Sequence, residues 1–215
     1  MFSVIFDMDG TLLDSQRICI AAWEYAGRKQ GVPNVGCHVK NVCGMNVAGC
    51  AEYIAEHFPT INFQLLQQDE HKYVAEHGTG ELMPGAIELL TFLRESNIKM
   101  AVASSTNTDI VISRLKKAGV LQYFDAIIGG DMVTNGKPAP DIFFMAAEKI
   151  GTEPDKCFVF EDSPNGIKAA KNAGIKCFGI PDIVEFNDEI KALLFAQLKN
   201  LSSAIPILKE FITND

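Results

Sequence analysis

The sequence contains no uninterrupted apolar run of about 18 residues, the length that a membrane-spanning helix needs. Its N-terminus also has no basic segment ahead of an apolar stretch, so no signal peptide is predicted. Basic residues are in the minority: 19 Lys and Arg stand against 27 Asp and Glu, and the net charge is −8. Nucleic-acid binding, which needs a basic surface, is therefore not expected. We expect a soluble, cytoplasmic protein that does not bind membranes and is a monomer.

Cysteine pairs with a recognisable spacing are also missing. The chain has six cysteines and no C-x-x-C pair, and 215 residues can form a core without disulfides. Cys37-His38 with Cys43 and Cys50 does not match the ligand spacing of common zinc sites. We therefore predict reduced thiols and no zinc.

Strand and helix patterns alternate from Met83 onward, in a chain that is 47% hydrophobic. Apolar runs predict strands, and apolar residues three or four apart between Pro, Gly or Thr boundaries predict helices. Thr108 is expected to cap one of these helices. The predicted strands cover residues 2–6, 98–103, 126–128, 156–160 and, as the last strand, 176–180; the predicted helices follow Pro84-Gly85, Thr108, Pro140 and Asp162, with a final helix near 205–211. This alternation is typical of an α/β fold with a parallel sheet.

Residues 16–80 interrupt this alternation with helical patterns alone. Helical spacing appears around Ile18–Tyr25, around Val47–Ile54 and over Phe63–His77. We therefore predict a core domain of residues 1–15 and 81–215 and an inserted helical domain of residues 16–80. Gly78-Thr79-Gly80 and Pro84-Gly85 are the expected return hinge.

Two acidic residues, Asp7 and Asp9, directly follow the first predicted strand and precede Gly10-Thr11. In extended backbone, residues two apart point to the same side. Ligands of open α/β sheets bind at the carboxyl ends of the strands. Two close acids repel each other unless they share a cation or a proton. The leading interpretation is therefore that these residues belong to a chemically active site. A turn that uses Asp and Gly only for its backbone conformation is the alternative.

Three later segments place further polar groups at the ends of predicted strands or the starts of helices. Ser104-Ser105-Thr106 offers hydroxyl and backbone N–H groups ahead of a helix, which suits phosphate oxygens. Lys137 is the only cation of the segment 136–141, and Glu161-Asp162 follows another buried strand. Taken alone, each segment also fits a structural role, as a helix cap or as a solvated lysine. Their joint occurrence in this order favours a phosphate site.

These four segments, with DMDGTLLDS at residues 7–15 first, resemble the four motifs of the haloacid dehalogenase superfamily, most of whose members are phosphatases. The resemblance implies a Rossmann-like parallel core with an inserted all-helical cap. It implies that Asp7 is the nucleophile and Asp9 the general acid and base, and that Ser104, Ser105 and Lys137 bind the phosphate. It further implies Mg²⁺ held by Asp7, the Asp9 main-chain carbonyl and Asp162, with Glu161 assisting directly or through water.

Within this family, residues of the cap distinguish enzymes that hydrolyse a phosphate ester from those that transfer the phosphate. Within the beta-phosphoglucomutase-like subgroup, the mutase carries a Lys-Gly-x-x-Arg type loop and a His in the cap. Here the matching loop is 43–47, which has no Lys or Arg, and Cys19 stands at the position of the His. We therefore expect a Mg²⁺-dependent phosphatase that hydrolyses a small phosphorylated metabolite through an aspartyl-phosphate. The alternatives are a phosphosugar mutase and a non-enzymatic phospho-receiver module.

Overall fold

The computed structural model describes residues 2–78 and 80–213, and a six-stranded parallel sheet lies at its centre. The strand order is β3-β2-β1-β4-β5-β6. The strands are β1 (Ser3–Phe6), β2 (Met100–Ala103), β3 (Ala126–Ile128), β4 (Cys157–Glu161), β5 (Lys176–Gly179) and β6 (Ala196–Gln197). The chain leaves β1 towards β2 and β3 on one side and later towards β4, β5 and β6 on the other. The β1–β4 boundary is thus the topological switch point, where ligands of such sheets bind.

The register of the central strands aligns their carboxyl ends. Phe6 of β1 lies opposite Val102 of β2 on one side and Phe160 of β4 on the other. All residues of these three strands are buried, as expected for apolar runs covered on both faces. The residues that follow each strand therefore reach the same edge of the sheet.

Helices cover both faces of the sheet, and further helices form the insertion after β1. They are α1 (Gln16–Lys29), α2 (Val39–Val42), α3 (Val47–His57), α4 (Phe63–His77), α5 (Ala86–Glu95), α6 (Thr108–Lys117), α7 (Asp141–Ile150), α8 (Pro164–Asn172), α9 (Asp188–Lys191) and α10 (Ile205–Thr213). Strand side chains alternate between the faces: Val4 and Phe6 pack with α5, α6 and α10, whereas Ile5 packs with α7 and α8. The predicted α/β fold class is confirmed.

Helices α1 to α4 form the all-helical insertion between β1 and α5. Their apolar faces share a hydrophobic cluster of their own, which includes Trp23, Val42, Ile54 and Leu66. This separate cluster supports the division into a core domain (1–15 and 81–215) and a cap (16–80), which we retain as a proposal. Of the predicted hinge, Thr79 lies outside the described residues.

Two local predictions were wrong. The strand predicted over residues 176–180 is β5, and it is not the last strand. A two-residue strand, β6, follows it later in the chain and pairs with it. A strand this short has no periodicity that a sequence pattern could reveal. Thr108 does not cap α6 with its own side chain; instead, the Asp131 carboxylate accepts hydrogen bonds from its amide N (2.6 Å) and its hydroxyl (2.8 Å). Residue 131 is distant in sequence, so the capping contact exists only in the folded chain.

All six cysteines are free thiols, as predicted. Within residues 2–78 and 80–213, no helix combines the length and the apolar character that crossing a bilayer requires.

The aromatic stack in the sheet leads to a stability prediction. Phe178 of β5 is fully buried, with its ring centroid 4.9 Å from that of Phe160 and 5.5 Å from that of Phe158. Phe178→Ala should lower the free energy of unfolding by about 3–5 kcal/mol in urea titrations, because it removes buried area and leaves a cavity. The control Phe144→Ala, at a side chain that is 45% exposed, should cost about 0.5 kcal/mol. Similar losses for both variants would contradict this account of the core.

Candidate active site

The centre of the site is the buried ammonium group of Lys137. Its Nζ donates hydrogen bonds to Asp7 Oδ1 and to Glu161 Oε1, both at 2.6 Å, and to the main-chain oxygen of Ala103 at 3.0 Å. These three acceptors stand at the carboxyl ends of β1, β4 and β2. Lys137 itself comes from the loop before α7, and its Nζ lies 5.1 Å from the centroid of the Phe143 ring. One cation thus connects three adjacent strand ends.

The acidic residues after β4 are held by short local contacts. Glu161 Oε2 accepts hydrogen bonds from the amide N and the hydroxyl of Ser163, both at 2.9 Å. Asp162 Oδ1 accepts from the Thr11 hydroxyl at 3.1 Å. Gly10 has φ +86, and a Cβ there would lie 2.2 Å from Asp162 Oδ2. The glycine therefore allows the loop after β1 to approach this carboxylate closely.

Carboxylate oxygens of Asp7, Glu161 and Asp162 lie within 4.8 Å of one another. Burial raises the pKa of Asp7 to about 8, although the charge of Lys137 opposes this shift. Burial, together with the charges of Glu161 and Asp7, raises the pKa of Asp162 well above its usual value. For Lys137, burial lowers the pKa, but the adjacent charges of Asp7 and Glu161 outweigh it and raise the pKa.

Three carboxyl groups lie around a single ammonium group, and such a cluster suits a hard cation. When ionised, the three carboxylates carry three negative charges against the single positive charge of Lys137. Asp7 and Asp162 each accept their side-chain hydrogen bond through Oδ1, whereas both oxygens of Glu161 are engaged. Magnesium prefers one or two carboxylates together with water and substrate oxygens. The donor set therefore fits Mg²⁺, with Asp7 and Asp162 better placed than Glu161 to bind it directly.

Asp9 faces the same cavity as Asp7 but has different partners. Its Oδ1 accepts from the Ser15 hydroxyl at 2.6 Å and from Arg114 Nη1 at 2.8 Å, and its Oδ2 accepts from the Thr106 hydroxyl at 3.0 Å. Its main-chain oxygen accepts from Gln16 Nε2 at 3.1 Å. Arg114 was not among the residues predicted from the sequence. It is one of several cations in the last turns of α6, and no spacing pattern connects it to Asp9.

Ser104 and Ser105 have different positions at the end of β2. The Ser104 side chain is buried, and its hydroxyl accepts a hydrogen bond from the Thr106 amide at 3.1 Å. Ser105 and Thr106 line the cavity. The Ser105 hydroxyl donates to the Gly44 main-chain oxygen of the cap at 3.1 Å.

The cap covers this edge of the sheet with the loop between α2 and α3. The Cys43 main-chain oxygen accepts from Asn165 Nδ2 at 3.3 Å. A Cβ at Gly44, where φ is +75, would lie 2.4 Å from the Ser163 hydroxyl. The glycine thus permits contact between the cap loop and the start of α8. The cavity between core and cap has carboxylates and hydroxyls on its core side, and side chains of α1, α3 and α4 on its cap side.

Comparisons with known proteins agree with this geometry. Residues 4–180 match the family model described as haloacid dehalogenase-like hydrolase. The chain is 33% identical to the phosphorylated carbohydrates phosphatase of Thermotoga maritima, with 99% of this chain and 100% of the relative covered. It is 34% identical to the validoxylamine A 7'-phosphate phosphatase of Streptomyces hygroscopicus subsp. limoneus, with 82% and 84% covered.

A solved structure supports the fold alone. The beta-phosphoglucomutase of Clostridium difficile superposes with a TM-score of 0.84 at 22% identity, covering 100% of this chain and 98% of that one. The family model and the full-length relative show more than the fold. This chain belongs to the haloacid dehalogenase-like hydrolases and is an enzyme of that family.

Proposed function

We propose that this enzyme is a Mg²⁺-dependent phosphatase that hydrolyses a small phosphomonoester through an aspartyl-phosphate. The observation that carries this proposal is the buried ion pair of Lys137 with Asp7, beside the Asp162 carboxylate. A carboxylate nucleophile needs positive charge beside it when a phosphate dianion approaches. Relatives named as phosphatases support the same reaction class.

In the first step, Asp7 attacks phosphorus and forms the acyl phosphate while the leaving oxygen takes a proton from Asp9. Lys137 holds the Asp7 carboxylate in place and offsets the charge of the phosphoryl group. Ser104, with Ser105 and its neighbouring backbone, binds the phosphate oxygens. Magnesium bound by Asp7, Asp162 and the Asp9 carbonyl, with Glu161 acting through water, would supply further positive charge.

In the second step, Asp9 accepts a proton from the water that cleaves the acyl phosphate. Hydrogen bonds from Ser15, Thr106 and Arg114 orient the Asp9 carboxyl group for this transfer. To protonate the leaving oxygen in the first step, Asp9 has to exchange some of these donors for the substrate.

Phosphate transfer within a sugar bisphosphate is the second candidate function, and the cavity argues against it. Arg114 is the only Arg or Lys that lines the cavity within the described part of the chain, and its Nη1 is already bound to Asp9. The cap loop 43–47 offers no cation, and Lys40 is exposed outside the cavity lining. A second phosphate would therefore find no free positive partner.

The monomeric state and the cytoplasmic location stay predictions from the sequence.

The nucleophile is tested by Asp7→Asn. We expect its kcat on p-nitrophenyl phosphate to fall at least about a thousandfold, because an amide cannot attack phosphorus. Asp155→Asn, at an exposed carboxylate remote from the site, should keep the wild-type rate, and circular dichroism should show both variants folded. An Asp7→Asn enzyme with a tenth of the wild-type rate would disprove the assignment. Full activity in excess chelator would disprove the Mg²⁺ requirement.

The role of Asp9 is tested by the leaving group. Asp9→Asn should slow hydrolysis of alkyl phosphates about 10²–10⁴-fold, because an alkoxide leaves poorly without a proton. The same variant should lose much less activity on p-nitrophenyl phosphate, whose phenolate is a better leaving group. Steady-state kcat/KM on the two esters gives the comparison. Equal losses on both would assign Asp9 to shaping the metal site.

Hydrolysis and transfer are separated by following one substrate to its products. Phosphorus NMR of beta-glucose 1-phosphate with a bisphosphate primer should show release of inorganic phosphate and little glucose 6-phosphate. A charged hydrogen bond contributes about 1.5–3 kcal/mol, so a cavity without two cap cations should bind a distal phosphate orders of magnitude more weakly. Isomerisation faster than phosphate release would show that the enzyme is a mutase.

A further inference from the structure

One buried acid of the cavity has no part in the proposed reaction. Glu70 of α4 lines the cavity on its cap side and is only 7% exposed. Its Oε1 lies 3.9 Å from Arg114 Nη2, and the other guanidinium nitrogen of Arg114 binds Asp9, which lines the same cavity. A leaving group bound beside Asp9 would therefore lie close to the Glu70 carboxylate.

The protein contacts of Glu70 are longer than good hydrogen bonds. Its Oε1 lies 3.8 Å from the Cys19 thiol and 3.9 Å from Arg114 Nη2, and its Oε2 lies 3.3 Å from Nε2 of the adjacent His71. Well-formed hydrogen bonds between nitrogen and oxygen span about 2.7–3.2 Å. Arg114 is not free to move closer, because its other nitrogen holds Asp9 at 2.8 Å.

A buried carboxylate with weak partners costs stability. Burial raises the pKa of Glu70 to about 7, against the opposing charge of Arg114. Its long contacts leave acceptor capacity on the carboxylate that the described residues do not fill. Hydroxyl groups of a bound ligand would fill it, since each hydroxyl has one hydrogen to donate.

The neighbours of Glu70 suit a compact hydroxylated group. Gln67 lies one turn earlier on α4 and lines the same cavity, adding an amide that can both donate and accept. Trp23 and Phe63 supply apolar walls. A few polar groups set among apolar side chains are the usual composition of a site that orients a small ligand.

We propose that Glu70 determines substrate specificity: it accepts hydrogen bonds from hydroxyls of an uncharged, polyhydroxylated leaving group and repels leaving groups that carry a second anionic charge. The proposal rests on the proposed phosphatase function and adds the substrate class of the same site. It assigns recognition to α4 and leaves the chemistry to the core residues.

The test compares four esters with wild-type enzyme and Glu70→Gln. Sorbitol 6-phosphate carries hydroxyls, n-hexyl phosphate lacks them, 3-phosphoglycerate carries a carboxylate, and p-nitrophenyl phosphate reports the chemistry. Glu76→Gln is the matched control, since Glu76 lies on the same helix with a side chain that is 55% exposed. Glu70→Ala provides a second variant that removes both acceptors.

In the wild type, kcat/KM should be highest for sorbitol 6-phosphate. Glu70→Gln should lower this value about tenfold or more, mainly through KM, as expected for loss of a charged hydrogen bond. Its loss on p-nitrophenyl phosphate, whose leaving group has no hydroxyl to donate to Glu70, should be much smaller, and circular dichroism verifies folding. Discrimination against 3-phosphoglycerate should shrink, and Glu70→Ala should show the same pattern more strongly.

Two outcomes would overturn the inference while the phosphatase function stands. An unchanged substrate preference in both Glu70 variants would remove Glu70 from recognition. Equal losses on all four esters would show that Glu70 acts through Arg114 on Asp9 and not on the substrate. A wild-type enzyme that hydrolyses none of the esters would instead overturn the proposed function, and this inference with it.

Discussion

The buried ammonium of Lys137 is the interaction on which the rest of the site depends. It joins Asp7 of the loop after β1, Glu161 at the end of β4 and the Ala103 carbonyl of β2. A charge so deeply buried is tolerated only when it is paired and hydrogen-bonded. All three partners are available together because the parallel register brings these strand ends to one edge.

Three acidic side chains, Asp7, Glu161 and Asp162, lie close together beside this ammonium group. Asp7 and Asp162 have raised pKa values because burial disfavours their charged forms. A bound cation would relieve that cost, and it would do so at the position where a phosphate dianion needs positive charge. The burial that raises these pKa values is thus the same constraint that would favour binding of magnesium and substrate together.

Arg114 connects the core chemistry to the cap. It holds Asp9 with one guanidinium nitrogen and lies 3.9 Å from Glu70 with the other. Arg114 is the only Arg or Lys among the described residues that line the cavity, and its contact with Asp9 occupies one of its two terminal nitrogens. On its cap side the cavity is lined by the acceptor Glu70 and the apolar residues Trp23 and Phe63.

The sequence by itself determined the α/β fold class, the helical insertion and the segments that meet at the site, because the periodicity of apolar residues and the acids after strands are local signals. The Phe63–His77 helix was predicted to the residue. Strand β6, the Asp131 cap and the contacts of Arg114 and Glu70 were decided only by the tertiary structure. Each depends on residues far apart in the chain. A local sequence pattern does not predict which distant groups come within hydrogen-bond distance when the chain folds.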